Sequence, residues 1–160
     1  MKYFAIFTVL VLIAALVGVG YLYMSANIYV EAVGMVSAEA AAQPELFAQV
    51  SDQLRLNAVV GTPFVTTQEL SSAENYQFFT YTVRLRNDSA VTADMVELQV
   101  TPMAGDILQI GAAGERKLPA GQTADITATI LTDISMHPIR EVTITYYIWG
   151  VPFTTKTTIK

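Results

Sequence analysis

The chain of 160 residues contains no cysteine, one histidine and one tryptophan. The lack of cysteine excludes disulfides, thiolate nucleophiles, iron–sulfur clusters and every zinc site that needs a thiolate ligand. If the chain is exported, its folded part must therefore be stabilised by its core alone, because small exported domains otherwise rely on disulfides. A cysteine-free exported domain is more typical of bacteria than of animals.

Charge is also scarce. Charged residues make up 14% of the chain and hydrophobic residues 52%, and the net charge is −5. This composition is too apolar for a disordered chain. The sequence has no basic stripe to neutralise phosphates, so we expect no nucleic-acid binding. The acidic balance likewise argues against docking of the folded part on anionic lipid.

Much of the apolar content lies in one block without charge, Tyr3 to Met24. As a helix, about 22 residues would span roughly 33 Å, which is enough to cross a hydrocarbon core. Lys2 precedes the block, and Glu31 and Glu39 are the first charges after it. The positive-inside rule therefore predicts a cytoplasmic N-terminus and an extracytoplasmic remainder.

This block predicts two parts, an N-terminal transmembrane signal-anchor at 1–26 and an extracytoplasmic domain at 27–160. The alternative is a signal peptide that is cleaved to release a secreted domain. Gly18 to Gly20, or Ser25 and Ala26, would be the weak cleavage sites. Signal peptides have shorter apolar regions, of about 7–15 residues, so the length favours the uncleaved anchor.

The remaining sequence is typical of an antiparallel β-protein. The segment YQFFTYTVRLR, Tyr76 to Arg86, alternates between apolar and polar residues, with Phe79, Tyr81, Val83 and Leu85 on one side. Such alternation indicates a sheet with one covered face. Similar runs predict strands at 27–36, 94–102, 107–110, 123–131 and 141–149, and an edge strand at 153–160. Eight or nine short strands with frequent turns predict an immunoglobulin-like β-sandwich.

Two features interrupt the strands. Pro44 precedes apolar residues at helical spacing, which predicts a short amphipathic helix at about 44–54 that covers one end of the sandwich. Gly34 would form a bulge in the first strand. Between 55 and 70 we expect two strand-like runs that break at Gly61 to Pro63.

The segments YTVRLRNDSAVTADMVELQVTP and KLPAGQTADITATIL resemble surface Ig-like domains of bacteria and archaea, of which CARDB-like domains are one example. Asn87, Leu118, Gly121 and Gln122 occupy the turn positions of that pattern. The resemblance covers about 75 residues and implies a fold more than a function, because such domains act as spacers, adhesive modules or assembly parts. The whole chain also resembles small single-pass membrane proteins of Gram-positive bacteria.

The sequence offers no catalytic constellation, so we expect neither an enzyme nor a cofactor. His137 is expected in a loop without a nucleophile or an orienting carboxylate beside it. The carboxylates are scattered, and only Asp88 with Asp94 could bind calcium weakly at one end of the sandwich. Asn87 to Ser89 matches the N-glycosylation pattern, but we expect Asn87 only to start a turn.

Aromatic residues are the best candidates for a binding role. Tyr147 and Trp149 cannot both join Tyr146 in the core by strict alternation, and Phe78 lies opposite Phe79. Exposed rings of this kind stack on sugars or anchor partners, unless a helix or the juxtamembrane segment covers them. Arg84 and Arg86 would then lie over such rings as cation–π partners.

Together these features predict a membrane-anchored Ig-like module with a structural or protein-interaction role in the cell envelope. Its expected partners are the membrane, through one helix, and a protein. The alternative is a carbohydrate- or small-ligand-binding module that uses the exposed aromatic residues.

Overall fold

Eight strands form two antiparallel sheets in the part of the chain that the computed structural model describes, residues 2–24, 27–56, 60–65, 69–111 and 117–160. The helices are α1 (Lys2–Met24) and α2 (Pro44–Arg55), and two 3-10 turns lie at Ala40–Ala42 and Ala73–Asn75. The strands are β1 (Ile28–Glu39), β2 (Gly61–Pro63), β3 (Tyr76–Asn87), β4 (Asp94–Val100), β5 (Asp106–Ile110), β6 (Thr123–Asp133), β7 (Arg140–Ile148) and β8 (Val151–Ile159).

The order of the strands identifies the sandwich. One sheet runs β1-β3-β6-β5-β2 and the other β4-β7-β8. Without the short β2, these orders are those of the ABED and CFG sheets of constant-type immunoglobulin domains. The predicted immunoglobulin-like antiparallel β-sandwich with a short helix is therefore confirmed.

The main core lies between the two sheets and follows the predicted alternation. Successive side chains of a strand point to opposite faces, so every second residue is covered. The predicted inward residues of β3, β4 and β7 are all buried: Phe79, Tyr81, Val83, Leu85, Val96, Leu98, Val100, Val142, Ile144, Tyr146 and Ile148.

A second, smaller core lies on the outer face of the five-stranded sheet, beneath α2. This helix begins at Pro44, as predicted, because proline fits the first helical position. Val50 and Leu54 of α2 pack over Phe78, Leu108 and the neighbouring sheet residues. The helix therefore covers the outer face of one sheet. It lies over Phe78, which the sequence analysis considered as a possible binding residue.

Two local predictions are wrong. The register of β1 shifts between Val30 and Ala32, not at Gly34. Gly61 to Pro63, the expected break, forms β2 against β5. Gly61 allows this pairing because a Cβ there would collide with the Gln109 carbonyl oxygen. Parts of the two predicted runs around it, 57–59 and 66–68, lie outside the described residues.

The apolar helix α1 contacts the sandwich at its last turn. Tyr3–Met24 is exposed along the helix and is long and apolar enough to cross a membrane. The Tyr23 ring lies 5.3 Å from the Phe153 ring, and Phe153 stacks on the buried Tyr146 ring at 5.5 Å. This stack joins α1 to the core without a stalk.

The register gives the sandwich two distinct ends. We call the end where β1 starts the near end, because α1 stops there. Ile28 pairs with Asn87 and Ile148 with Val151, so the near end carries the turns at 88–93, 119–122 and 149–150. The far end carries the turns at 101–105 and 134–139.

Candidate interaction surfaces

Trp149 lies at the tip of the β7–β8 hairpin. Ile148 pairs with Val151, which leaves Trp149 and Gly150 as a two-residue turn. Both have positive φ, 51° and 78°, as a type I′ turn requires. The Trp149 side chain is 55% exposed. A large aromatic residue is uncommon in this conformation, where asparagine or glycine is preferred.

The other two predicted contact residues do not join Trp149. Tyr147 lies on the outer face of β7, half-buried, in register with Asp94 and Pro152. Phe78 is only 2% exposed because α2 covers it, so it is not available to a ligand. The expected aromatic surface is therefore reduced to Trp149, with Tyr147 beside the base of its hairpin.

Arg84 and Arg86 were expected to lie over aromatic rings, but both pair with carboxylates instead. Arg84 donates two hydrogen bonds to the Asp125 carboxylate, at 2.7 and 2.9 Å, across the β3–β6 pair. These bonds hold the pKa of the exposed Asp125 below its usual value. Arg86 forms ion pairs with Asp88 and Glu31. Asp88 is thus engaged by a cation, which opposes its suggested role in calcium binding.

Neither His137 nor the carboxylates form a polar site. His137 is exposed in the far-end turn, where its carbonyl oxygen accepts a hydrogen bond from Arg140. Within the described ranges, no group of three or more histidine, aspartate or glutamate residues is placed to hold a metal ion.

A buried ion pair at the far end was missed by the sequence analysis. Arg140 binds the Asp106 carboxylate through two hydrogen bonds of 2.8 and 3.0 Å, and both side chains are fully buried. The Arg140 Nη1 donates to the carbonyl oxygens of His137 and Ile139. Asp106 also accepts from the Met103 amide. The pair joins β5 of one sheet to β7 of the other.

Asn87 organises the near end, as its place in the turn pattern suggested. Its buried side-chain amide donates to the carbonyl oxygens of Val91 and Leu118, at 2.8 and 2.9 Å. Its side-chain oxygen accepts from the amide and hydroxyl of Ser89. The Gly121 amide donates to the Asn87 carbonyl. Asn87 therefore starts its own turn and also binds the turn that precedes β6.

The edges of the two sheets differ in how they are protected. The β4 edge is blocked by Gln109, whose amide bonds the Val100 N–H and the Leu98 carbonyl, both at 2.8 Å. The β8 edge carries threonines and Lys156, and β2 is only three residues long. Blocking groups, charge and short length are the usual defences against further strand pairing.

The outer edge of β1 is less protected, because its two charges and its register shift lie outside the stretch from Ala32 to Ala38. This strand has 12 residues and pairs only with β3 within the described part of the chain. Val36 on its outer face is 69% exposed, and Val33 on its inner face is 43% exposed. Glu31 and Glu39 are its only charges. A long, apolar, unpaired edge is a template for another strand.

Comparisons with known proteins add little. No known protein family matches the sequence, and no curated protein is significantly similar. The crystal structure of a yeast GGA1 GAE domain aligns with a TM-score of 0.36 and 14% identity, covering 56% of this chain and 94% of that one. The fold is therefore identified by its strand order, and the resemblance to CARDB-like domains stays a prediction.

Proposed function

We propose that this chain is a membrane-anchored, extracytoplasmic Ig-like module that binds a partner protein in the cell envelope. The observation that carries the proposal is the open edge of β1. A partner segment in extended conformation would add a strand to the five-stranded sheet, with hydrogen bonds from the β1 backbone. Val33 and Val36 would supply apolar contacts on the two faces of that strand.

The anchor is supported by α1 and by its contact with the sandwich. A helix that exposes apolar side chains on all sides is stable in lipid and costly in water. Lys2 at the start of the helix and acidic residues after it favour a cytoplasmic N-terminus. Tyr23 near the end of α1 is placed for the headgroup region that aromatic residues prefer.

The direction of β1 argues for a different protein as the partner. The strand starts beside α1 and runs toward the far end, away from the membrane. Two copies anchored in one bilayer would therefore have parallel β1 strands. The antiparallel pairing that a two-fold axis across an edge produces would point one anchor away from the membrane.

A charge placed on the β1 edge tests the interaction. Val36→Lys should abolish co-purification of a partner from detergent-solubilised native membranes, because a lysine would disrupt the apolar contact and the edge pairing. Thr158→Lys is the matched control, since Thr158 is exposed on β8, the edge strand of the other sheet. It should leave the partner bound.

Three results would contradict the proposal. The protein could purify alone from native membranes, or Val36→Lys could retain the partner as well as Thr158→Lys does. A Val36→Cys chain that forms a disulfide-linked dimer in the membrane would show that a second copy occupies the edge.

The natural absence of cysteine allows a clean test of the anchor. Single cysteines would replace Thr158 in the sandwich, Thr8 in α1 and Lys2. On intact cells, a membrane-impermeant maleimide should label only the position-158 variant. Labelling of Lys2→Cys from outside would show the opposite orientation. Release of the position-158 variant into the medium would indicate cleavage of the helix.

The exposure of Trp149 favours one second candidate, the carbohydrate- or small-ligand-binding module. An indole ring at a hairpin tip, with Tyr147 near its base, offers a flat apolar surface on which a sugar can stack. Binding on a glycan array that disappears with Trp149→Ala and persists with Val36→Lys would support this function over the first.

A further inference from the structure

The near end of the sandwich faces the side from which α1 enters. Four residue steps separate Met24 from Ile28, a span of at most about 14 Å. From Phe153, which contacts Tyr23, the hairpin continues for three residues to Gly150, about 10 Å along the strand. The tip therefore lies beyond this contact, on the opposite side of it from the body of the sandwich.

Two exposed apolar side chains at this end have unusual backbones. Trp149 and Met95 are the only non-glycine residues with positive φ in the described ranges, at 51° and 50°. Met95 is 67% exposed and lies next to Asp94, which pairs with Tyr147 two residues before Trp149. In water these positions would suit small polar residues, since the left-handed region disfavours large side chains.

We propose that the near end rests in the headgroup region of the bilayer that α1 crosses, with the Trp149 indole as the main contact and Met95 beside it. Tryptophan favours this region because its ring is apolar and its N–H is polar. The proposal rests on the anchor in the proposed function. It adds a second attachment, which fixes the orientation of the sandwich and of the β1 edge relative to the membrane.

The charges at the near end point to a neutral lipid surface. Arg86 is paired with Asp88 and Glu31, so its charge is compensated within the protein. Anionic lipid attracts clusters of unpaired lysine and arginine, and the near end does not present such a cluster among its described residues. We therefore expect contact with zwitterionic lipid, without a requirement for anionic lipid.

Trp149 is the only tryptophan, so intrinsic fluorescence reports on this contact without a label. The full chain would be reconstituted in phosphatidylcholine vesicles. Spin-labelled lipids that place the quencher near the headgroups should quench the emission strongly, and aqueous iodide should quench it weakly. Addition of anionic lipid should leave both values unchanged.

The matched control moves the single tryptophan to the far end. Ile139 is exposed in the far-end turn, so a Trp149→Phe, Ile139→Trp chain carries its indole far from α1. In the same vesicles, lipid quenching should be several-fold weaker for this control and iodide quenching several-fold stronger. Equal quenching at the two positions, or a Trp149 emission typical of water, would overturn the proposal.

Flotation of the same vesicles separates this result from failure of the anchor. If the chain floats with the vesicles but Trp149 is accessible to iodide, the anchor stands and the headgroup contact is wrong. If the chain stays at the bottom of the gradient, the anchor itself is wrong. Sugar binding by a water-accessible Trp149 would also overturn the contact and favour the carbohydrate module.

Discussion

The two ends of the sandwich differ in where their unusual side chains find contacts. At the far end, Arg140 and Asp106 are buried, and each finds its partners inside the protein. At the near end, Trp149 and Met95 occupy unfavourable backbone conformations and extend into the surroundings. The far-end pair is satisfied within the fold, whereas the two near-end side chains are exposed and available for a contact outside the chain.

Removal of one member of the buried pair should have the largest effect. Asp106→Ala leaves the Arg140 charge buried without a counterion, which costs about 3–5 kcal/mol of unfolding free energy. Chemical denaturation of the full chain in neutral micelles, followed by circular dichroism, would measure the loss. Asp125→Ala, which breaks the exposed pair with Arg84, should cost far less, because solvent screens exposed ion pairs.

A double replacement separates the cost of one unpaired buried charge from the net contribution of the ion pair. Asp106→Leu with Arg140→Leu removes both charges and should recover most of the lost stability, because apolar residues often replace a buried pair without cost. If Asp106→Ala and Asp125→Ala had equal effects, the contrast between a sealed far end and a solvated surface would be wrong.

At the near end, the corresponding test is Asn87→Ala. This change removes the Asn87 donor from the Leu118 carbonyl, which keeps the Ala93 amide, and from the Val91 carbonyl, which keeps the Ser89 hydroxyl. The loss of these two buried bonds should cost about 2 kcal/mol. Gln77 is the far-end analogue, since its amide donates to the carbonyls of Asp133, Ile134 and Met136. Gln77→Ala should cost only about 1 kcal/mol, because water can replace an amide in this more exposed turn. A larger loss for Gln77→Ala than for Asn87→Ala would contradict the expectation that the buried Asn87 bonds contribute more to stability.

Alkaline pH provides a third test of the far end. Burial raises the pKa of Tyr81 to about 12, and its hydroxyl donates to the Pro138 carbonyl. A pKa raised on folding stabilises the protein fully below the unfolded value near 10, and this stabilisation is lost as pH rises toward 12. The loss should be about 2 kcal/mol by pH 12.

Tyr81→Phe identifies the group responsible, since it should reduce the slope of unfolding free energy against pH above 10. Burial also raises the pKa of Tyr146, so part of the alkaline loss should persist in this variant. An unchanged slope would show that Tyr81 is not the titrating group.

The fold could be predicted because its signals are local. Alternation placed the inward residues of β3, β4 and β7, and Pro44 with its helical spacing placed α2. The Arg140–Asp106 pair could not be predicted in this way, because 34 residues separate its members and only the sheet packing brings them together.

The candidate surfaces were less predictable than the strands. Alternation correctly assigned Phe78 to the outer face, but it carries no information on which helix covers that face. The bulge before Ala32 and the β2 pairing likewise depend on neighbouring strands. Trp149 was predicted as a strand residue, and its place in a turn became clear only from the register of β7 with β8.

The smallest expected effect is a stability difference between two substitutions at the hairpin tip. Trp149→Asn creates the Asn-Gly sequence that two-residue turns with positive φ prefer. Trp149→Ala is the matched control, because it also removes the ring but disfavours the left-handed region. In neutral micelles, the Asn variant should be more stable than the Ala variant by about 1 kcal/mol. Equal stability of the two variants would show that the turn imposes no preference at this position. The predicted difference would show that the turn prefers a residue that readily adopts the left-handed region, which tryptophan does not.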